Sequence, residues 1–159
     1  MQKIDGVLYR EATVADADEL VELRLLMQLD GIADKKTSVP AGYKQAARNY
    51  FLESIKAGHY LGVVAEFDSQ LVATNGIVLY KKPPAIFALD ACVAYLGNVY
   101  TREEFRGRGI ATKLLQLAIA LTRTRGAYKI HLGTTEMGKS IYERAGFRPV
   151  EFEALELRL

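Results

Sequence analysis

The chain has 159 residues, 50% of them hydrophobic and 25% charged, a formal net charge of +2 and a single cysteine. That is the size of one domain able to enclose a core, and the composition of a folded chain rather than a disordered one. The small net charge gives no electrostatic case for nucleic acid, the lone Cys92 excludes a disulfide framework or a cysteine metal site, and no apolar run approaches the ~20 residues of a membrane span.

The opening segment MQKIDGVLYR lacks the apolar centre of a signal peptide, so the cytosol is the expected compartment. GVLYREAT reads as a first strand. Thr13, with Asp16 three residues on, resembles a capping box that opens a helix through VADADELVELRLLMQLDG. Leu20, Val21, Leu23, Leu25 and Met27 form its apolar side, and Asp30-Gly31 ends it. IADKKTS is a polar connection, expected to be mobile. Ser38 and Pro40 can open a second helix, with Ala47, Phe51 and Ile55 at spacings of four and Gly58 as terminator. HYLGVVAEF, the turn DSQ and LVATNGIVLY read as an antiparallel hairpin. In KKPPAIFALDA, Pro83 and Pro84 forbid a central strand and point to a loop or edge.

CVAYLGNVYT is the next strand, with Cys92 expected as a buried structural thiol, and REEFRGRG follows it. In IATKLLQLAIALTRTRG, Ile110, Leu114, Leu117 and Leu121 fall at i, i+4, i+7 and i+11, the strongest helical pattern in the chain, with Gly126 as its cap. YKIHLG is a strand, KSIYERAG a short helix closed by Gly146, and FRPVEFEALELRL a closing strand or hairpin. No repeat, low-complexity tract or linker interrupts this order, so residues 1–159 read as one domain. The expected class is α/β of mixed (α+β) type, with helices around one central sheet.

GTTEMGKS, residues 133–140, fits the phosphate-binding pattern G-x-x-x-x-G-K-S/T and follows an apolar strand-like run. A nucleoside triphosphatase would also need a magnesium-binding aspartate at a later strand end and further strands. Only 19 residues follow Ser140, and no aspartate occurs after Asp90. The match is rejected as a triphosphate site and kept as the mark of a strand-to-helix junction.

The informative segment is NVYTREEFRGRGIATKLL. Gly107 and Gly109 lie between a strand and the start of the best helix. There, backbone N–H groups lack intrahelical partners and the helix dipole turns its positive end outward. Glycine admits close approach and positive φ, and Arg106 and Arg108 add charge. The sum is an anion cradle suited to a phosphate or diphosphate, against a plain Gly-rich connection with solvated arginines. A dinucleotide-binding G-x-G-x-x-G is disfavoured because Thr112 stands where the third glycine belongs.

VYTREEFRGRGIA resembles the acyl-CoA-binding motif of the GNAT superfamily of N-acyltransferases, a strand followed by R/Q-x-x-G-x-G/A, with Arg106, Gly109 and Ala111 in its fixed places. SIYERAGF is similar to that superfamily's second motif, a short helix carrying a tyrosine and ending in Gly-Phe. The resemblance implies a GNAT fold of about six to seven strands and about four helices, and acetyl-CoA as co-substrate without a metal. It also implies an amine acceptor, and homodimers are common among members; the charge and the lack of a long apolar run leave neither nucleic acid nor membrane as an expected partner. The strand ending at Tyr100 and the strand ending near Gly133 would lie parallel and splay apart. Residues Asn98, Val99, Tyr100 and Thr101 would line the slot, with the backbone of Val99 and Thr101 pairing with pantetheine. The N–H groups of Gly107, Arg108, Gly109, Ile110, Ala111 and Thr112 would hold the diphosphate, and Lys139 would reach the phosphates or stay solvated. Thr135 stands where the family often has asparagine.

Acetyl transfer to an amine needs a neutral amine, a stabilised oxyanion and a proton for the leaving thiolate. The resemblance implies the Val99 N–H for the oxyanion and Tyr142 as general acid. The base is open among Glu66, Asp90, Glu103, Glu104 and a water chain, while His59 and His131 read as structural. The acceptor is expected over the first two helices and the KKPPAIFALDA loop. A non-catalytic acyl-CoA-binding module of the same fold is the alternative.

Overall fold

The structure is a computed structural model, and residues 2–31, 38–151 and 155–157 are described. Among the described residues six strands form one sheet in chain order: β1 (Gln2–Ile4), β2 (Val7–Glu11), β3 (Tyr60–Phe67), β4 (Gln70–Lys81), β5 (Cys92–Thr101) and β6 (Lys129–His131). The first five are antiparallel neighbours, whereas β5 and β6 run parallel. Parallel neighbours need a crossover, and α3 (Ile110–Thr124) supplies it. α1 (Ala17–Asp30) and α2 (Tyr43–Lys56) precede β3, and α4 (Glu136–Arg144) follows β6. Six strands and four helices in one mixed α/β sheet architecture match the expected class.

Each face of the sheet carries its own core. On one side Leu61, Val63, Ala65, Ile77, Ala94 and Leu96 pack against Ile110, Leu114, Leu115 and Ala118 of α3. On the other, Tyr60, Val64, Leu71 and Tyr100 pack against Leu20, Val21 and Leu23 of α1 and Phe51 of α2. The sheet is therefore the middle of three layers. The buried stripe of α3 runs Ile110, Leu114, Leu115, Ala118 and Thr122, with Leu117 and Leu121 at its half-buried margin. The expected stripe is rotated slightly from this one, because α3 meets the sheet through a face wide enough to take Leu115 and Ala118.

Several expectations change in detail. The opening is a hairpin rather than a single strand: Asp5 (φ 48°) and Gly6 (φ 80°) turn β1 into β2, the backbone that an Asp-Gly turn adopts readily. The Thr13–Asp16 capping box is present, on a 3₁₀ turn at residues 14–16 from which α1 continues. Gly42, at φ 82°, rather than Ser38 or Pro40, stands before α2. The connection at residues 32–37 lies outside the described residues. Cys92 is half-buried at the start of β5, not enclosed in the core. Residues 147–151 and 155–157 form no strand, and the remainder of the expected closing element lies outside the described residues. Among the described residues no helix is long and apolar enough to cross a membrane.

Candidate active site

The ladder between β5 and β6 covers only Val93↔Lys129, Ala94↔Ile130 and Tyr95↔His131. β5 continues to Thr101, so its last six residues have no β6 partner and the two parallel strands part beyond Tyr95. On the opposite edge the β4 register jumps from Gly76↔Gly97 to Thr74↔Tyr100, so Asn98 and Val99 together face Asn75. This is a β-bulge, with Asn98 at φ 50°. A bulge reverses which face alternate residues see. Ala94 and Leu96 point into the α3 layer, while Tyr95 and Gly97 line the other side. Past the bulge Asn98 and Tyr100 take the α1–α2 side and Val99 takes the α3 side.

The loop leaving β5 reaches α3 through Gly107 (φ 76°) and Gly109 (φ 75°), and Gly109 occupies the helix N-cap. A Cβ at either glycine would meet nothing within 4 Å, so the left-handed backbone, not crowding, requires glycine there. Among the described residues, the N–H groups of Gly107, Arg108, Gly109, Ile110, Ala111 and Thr112 have no hydrogen-bond acceptor; the next, of Lys113, bonds the Gly109 carbonyl at 3.1 Å. No acidic residue lies in the first turn of α3. Six adjacent donors at a positive helix end form a fitting cradle for a diphosphate.

The two arginines of this loop divide. Arg106 turns away from the cradle: its Nη2 lies 2.5 Å from Oδ2 of Asp30 at the end of α1, its Nε donates to the Thr101 carbonyl at 3.0 Å, and its guanidinium lies 5.5 Å from the Tyr100 ring centroid. The expected charge contact from Arg106 is thus occupied by a brace between loop and helix. Arg108 lies 5.0 Å from the Phe105 ring centroid without an acidic partner among the described residues. The cradle's formal charge falls to Arg108.

α4 begins at Glu136, with the Thr135 hydroxyl accepting the Gly138 N–H at 3.3 Å. Five of the eight residues of GTTEMGKS are therefore helical, three of them before Lys139, and no loop remains to wrap a triphosphate. Thr135 serves as the cap, and Lys139 is exposed. Tyr142 projects from α4 into the α3-side core, edge-on to Phe147 at a centroid distance of 5.8 Å. Burial, and then the neighbouring Tyr95, hold its phenol above the ordinary value, so it is protonated at neutral pH. His131 at the parting of the strands shares a hydrogen bond of 2.7 Å with the Tyr80 hydroxyl. Burial, then Lys129 and Lys82, push its imidazole below the usual range.

Beside the bulge, between α1, α2 and the sheet, lies a cavity of about 340 Å³. Tyr43, Tyr50, Phe51, Tyr60 and Tyr95 give it an aromatic wall, and Arg24 is its charged side chain. None of the four carboxylates considered as base lines it. Glu66 is held by Arg10 at 2.8 Å, Asp90 by Lys81 at 3.0 Å, and Glu103 and Glu104 are exposed on the loop before the cradle. His59, between α2 and β3, is held by its backbone: its N–H donates to the Ser54 carbonyl of α2 at 3.0 Å and its carbonyl accepts from Leu79 of β4 at 2.8 Å. The 82–91 loop, expected beside the acceptor, does not line the cavity and carries Ile86, Phe87 and Leu89 in solvent. Sequence reasoning missed Arg24, Tyr43, Tyr50 and Tyr60. The spacing of Tyr43, Ala47 and Tyr50 on α2 was the available signal.

Comparison with known proteins bears on this geometry. A family model described as "Acetyltransferase (GNAT) family" matches residues 28–147. A segment of 56 residues is 43% identical to N-alpha-acetyltransferase 30 of Schizosaccharomyces pombe, covering 33% of this chain and 37% of that protein. The chain thus spans little more than a third of the curated relative it matches. A predicted acetyltransferase with acetyl-CoA from Clostridium acetobutylicum superposes with a TM-score of 0.84 at 28% identity, over 96% of both chains. A GCN5-related N-acetyltransferase from Ralstonia eutropha JMP134 gives a TM-score of 0.80 at 27% identity, over 96% of this chain and 99% of that one.

Proposed function

Because this chain belongs to the acetyltransferase (GNAT) family, we propose that it transfers an acetyl group from acetyl-CoA directly to a primary amine. The observation that carries this reading is the run of six unpaired amides at residues 107–112, next to a β5 edge that β6 leaves after Tyr95. In this reading Gly107, Arg108, Gly109, Ile110, Ala111 and Thr112 donate to the diphosphate. The open edge at Asn98, Val99, Tyr100 and Thr101 receives the pantetheine arm as an added strand. The Val99 N–H polarises the thioester carbonyl, and Tyr142 donates its phenolic proton to the departing thiolate. The amine attacks as its free base, forming the C–N bond while the C–S bond breaks, and its surplus proton leaves to water, since no carboxylate among the described residues lines the cavity. The reading calls on no metal, and Lys139 is left as a solvated contact at the edge of the phosphates.

Direct transfer is supported by the place of Cys92. It opens β5, six residues before Asn98, roughly 20 Å away along a strand and too far to take the acetyl group. A thiol-release assay over a panel of amines tests the proposal. Ternary-complex kinetics, and loss of turnover with retained acetyl-CoA affinity in Tyr142→Phe, are expected. Ping-pong kinetics or acetylated Cys92 would contradict direct transfer. Acetyl-CoA binding without thiol release for any amine would leave a non-catalytic acyl-CoA module.

A further inference from the structure

Among the described residues the one charged side chain lining the cavity beside the bulge is a cation, Arg24. We propose that the acceptor carries an anionic group, a carboxylate on an apolar or aromatic body, and that Arg24 of α1 holds it; this rests on the acetyltransferase reading above. Arg24 is half-buried and lines the cavity, yet among the described residues it has no acidic partner. The other half-buried arginines are engaged: Arg10 and Arg48 have acidic partners at 2.7 Å, and Arg102 donates to the Leu71 carbonyl at 3.0 Å. A partly desolvated guanidinium without a counter-ion is a planar fork poised for a carboxylate. Among the described residues no Asp or Glu lines the cavity, so a polycationic acceptor would find repulsion there and no compensation.

The remaining wall describes the rest of the ligand. Tyr43, Tyr50, Phe51 and Tyr60 present ring surface to an apolar body. On the β5 side, Asn98 is only 8% exposed; its Nδ2 donates to the Tyr60 hydroxyl at 3.2 Å, and its Oδ1 has no partner. A buried acceptor left open costs about 1–3 kcal/mol unless a ligand donor fills it. An N–H of the incoming amine is such a donor, and Asn98 adjoins Val99 at the parting strands. The amine end of the acceptor therefore lies at the bulge and its carboxylate end at α1.

Calorimetry in the presence of saturating coenzyme A tests this without requiring turnover, using N-acetyl-L-phenylalanine and its neutral carboxamide as matched product analogues. The native protein should bind the carboxylate about tenfold more tightly. In Arg24→Gln that advantage should vanish with carboxamide binding unchanged, and Arg24→Lys should restore part of it. Equal affinities, an advantage that survives Arg24→Gln, failure of both analogues to bind, or tighter binding of an acetylated polyamine would each overturn the inference. Acetyl-CoA titrated into the same samples separates the two levels: its failure to bind sinks the acetyltransferase reading itself, whereas its binding without a carboxylate advantage sinks only this inference.

Discussion

The Arg106 guanidinium sits 2.5 Å from the Asp30 carboxylate, tying the loop that enters α3 to the far end of α1. Both side chains are about two-fifths exposed, so the pair contributes at most about 1 kcal/mol to folding. Its effect is on loop position. Arg106→Ala and Asp30→Ala should each weaken acetyl-CoA binding by about two- to fivefold, and the double variant should be no worse than either. Calorimetry on the four proteins checks this. Tighter binding in Asp30→Ala would mean that Arg106 is a phosphate ligand held back by Asp30.

Gly109→Ala should cost about 1–2 kcal/mol of stability, because φ 75° is left-handed backbone, and should also weaken acetyl-CoA binding by moving the amides. Gly126 shares that φ at the other end of α3. Gly126→Ala should lose similar stability in denaturant titration and leave acetyl-CoA affinity within twofold. Equal affinity losses in both variants would remove the special standing of residues 107–112.

For Tyr142→Phe, kcat should fall by about 10²–10³-fold while acetyl-CoA affinity stays within twofold. Since burial and Tyr95 raise the phenol, the native rate should lose activity on the alkaline side only above pH 10.0, and the variant should lack that limb. A pH–rate profile of both proteins decides it. An unchanged kcat would remove Tyr142 from the chemistry.

Tyr60 predicts a stability change at high pH. Burial pushes its phenol up to about 12 from 10.0 in the unfolded chain. A raised phenol favours the neutral folded form, so this contribution is complete below pH 10 and is lost as pH rises towards 12. The difference corresponds to about 3 kcal/mol. Denaturation midpoints from pH 9 to 12 should fall more steeply in the native protein than in Tyr60→Phe.

Legibility in the sequence followed the range of the interactions. Thr13 and Asp16, Gly126, and the β5 boundaries at Cys92 and Thr101 were readable because capping, termination and alternation are decided within a few residues. The Gly107–Gly109 junction was readable for the same reason. Arg106 was misplaced because its partner Asp30 is 76 residues away, and no local pattern announces an ion pair of that span. The cavity was invisible for a related reason. Arg24, Tyr50, Tyr60 and Asn98 come from four different elements, and only the bulge at Asn98–Val99 turns Asn98 towards the others. The opening Asp5-Gly6 hairpin, by contrast, carried a local signal that a single-strand reading of GVLYREAT passed over.

Titration of ¹⁵N-labelled protein with acetyl-CoA, followed amide by amide, tests the central claim most directly. The largest shifts should fall on Gly107, Arg108, Gly109, Ile110, Ala111 and Thr112, because those six N–H groups acquire acceptors that the described residues do not supply, with Val99 and Thr101 next. Shifts concentrated at residues 133–140, or none at residues 107–112 under saturation, would contradict it.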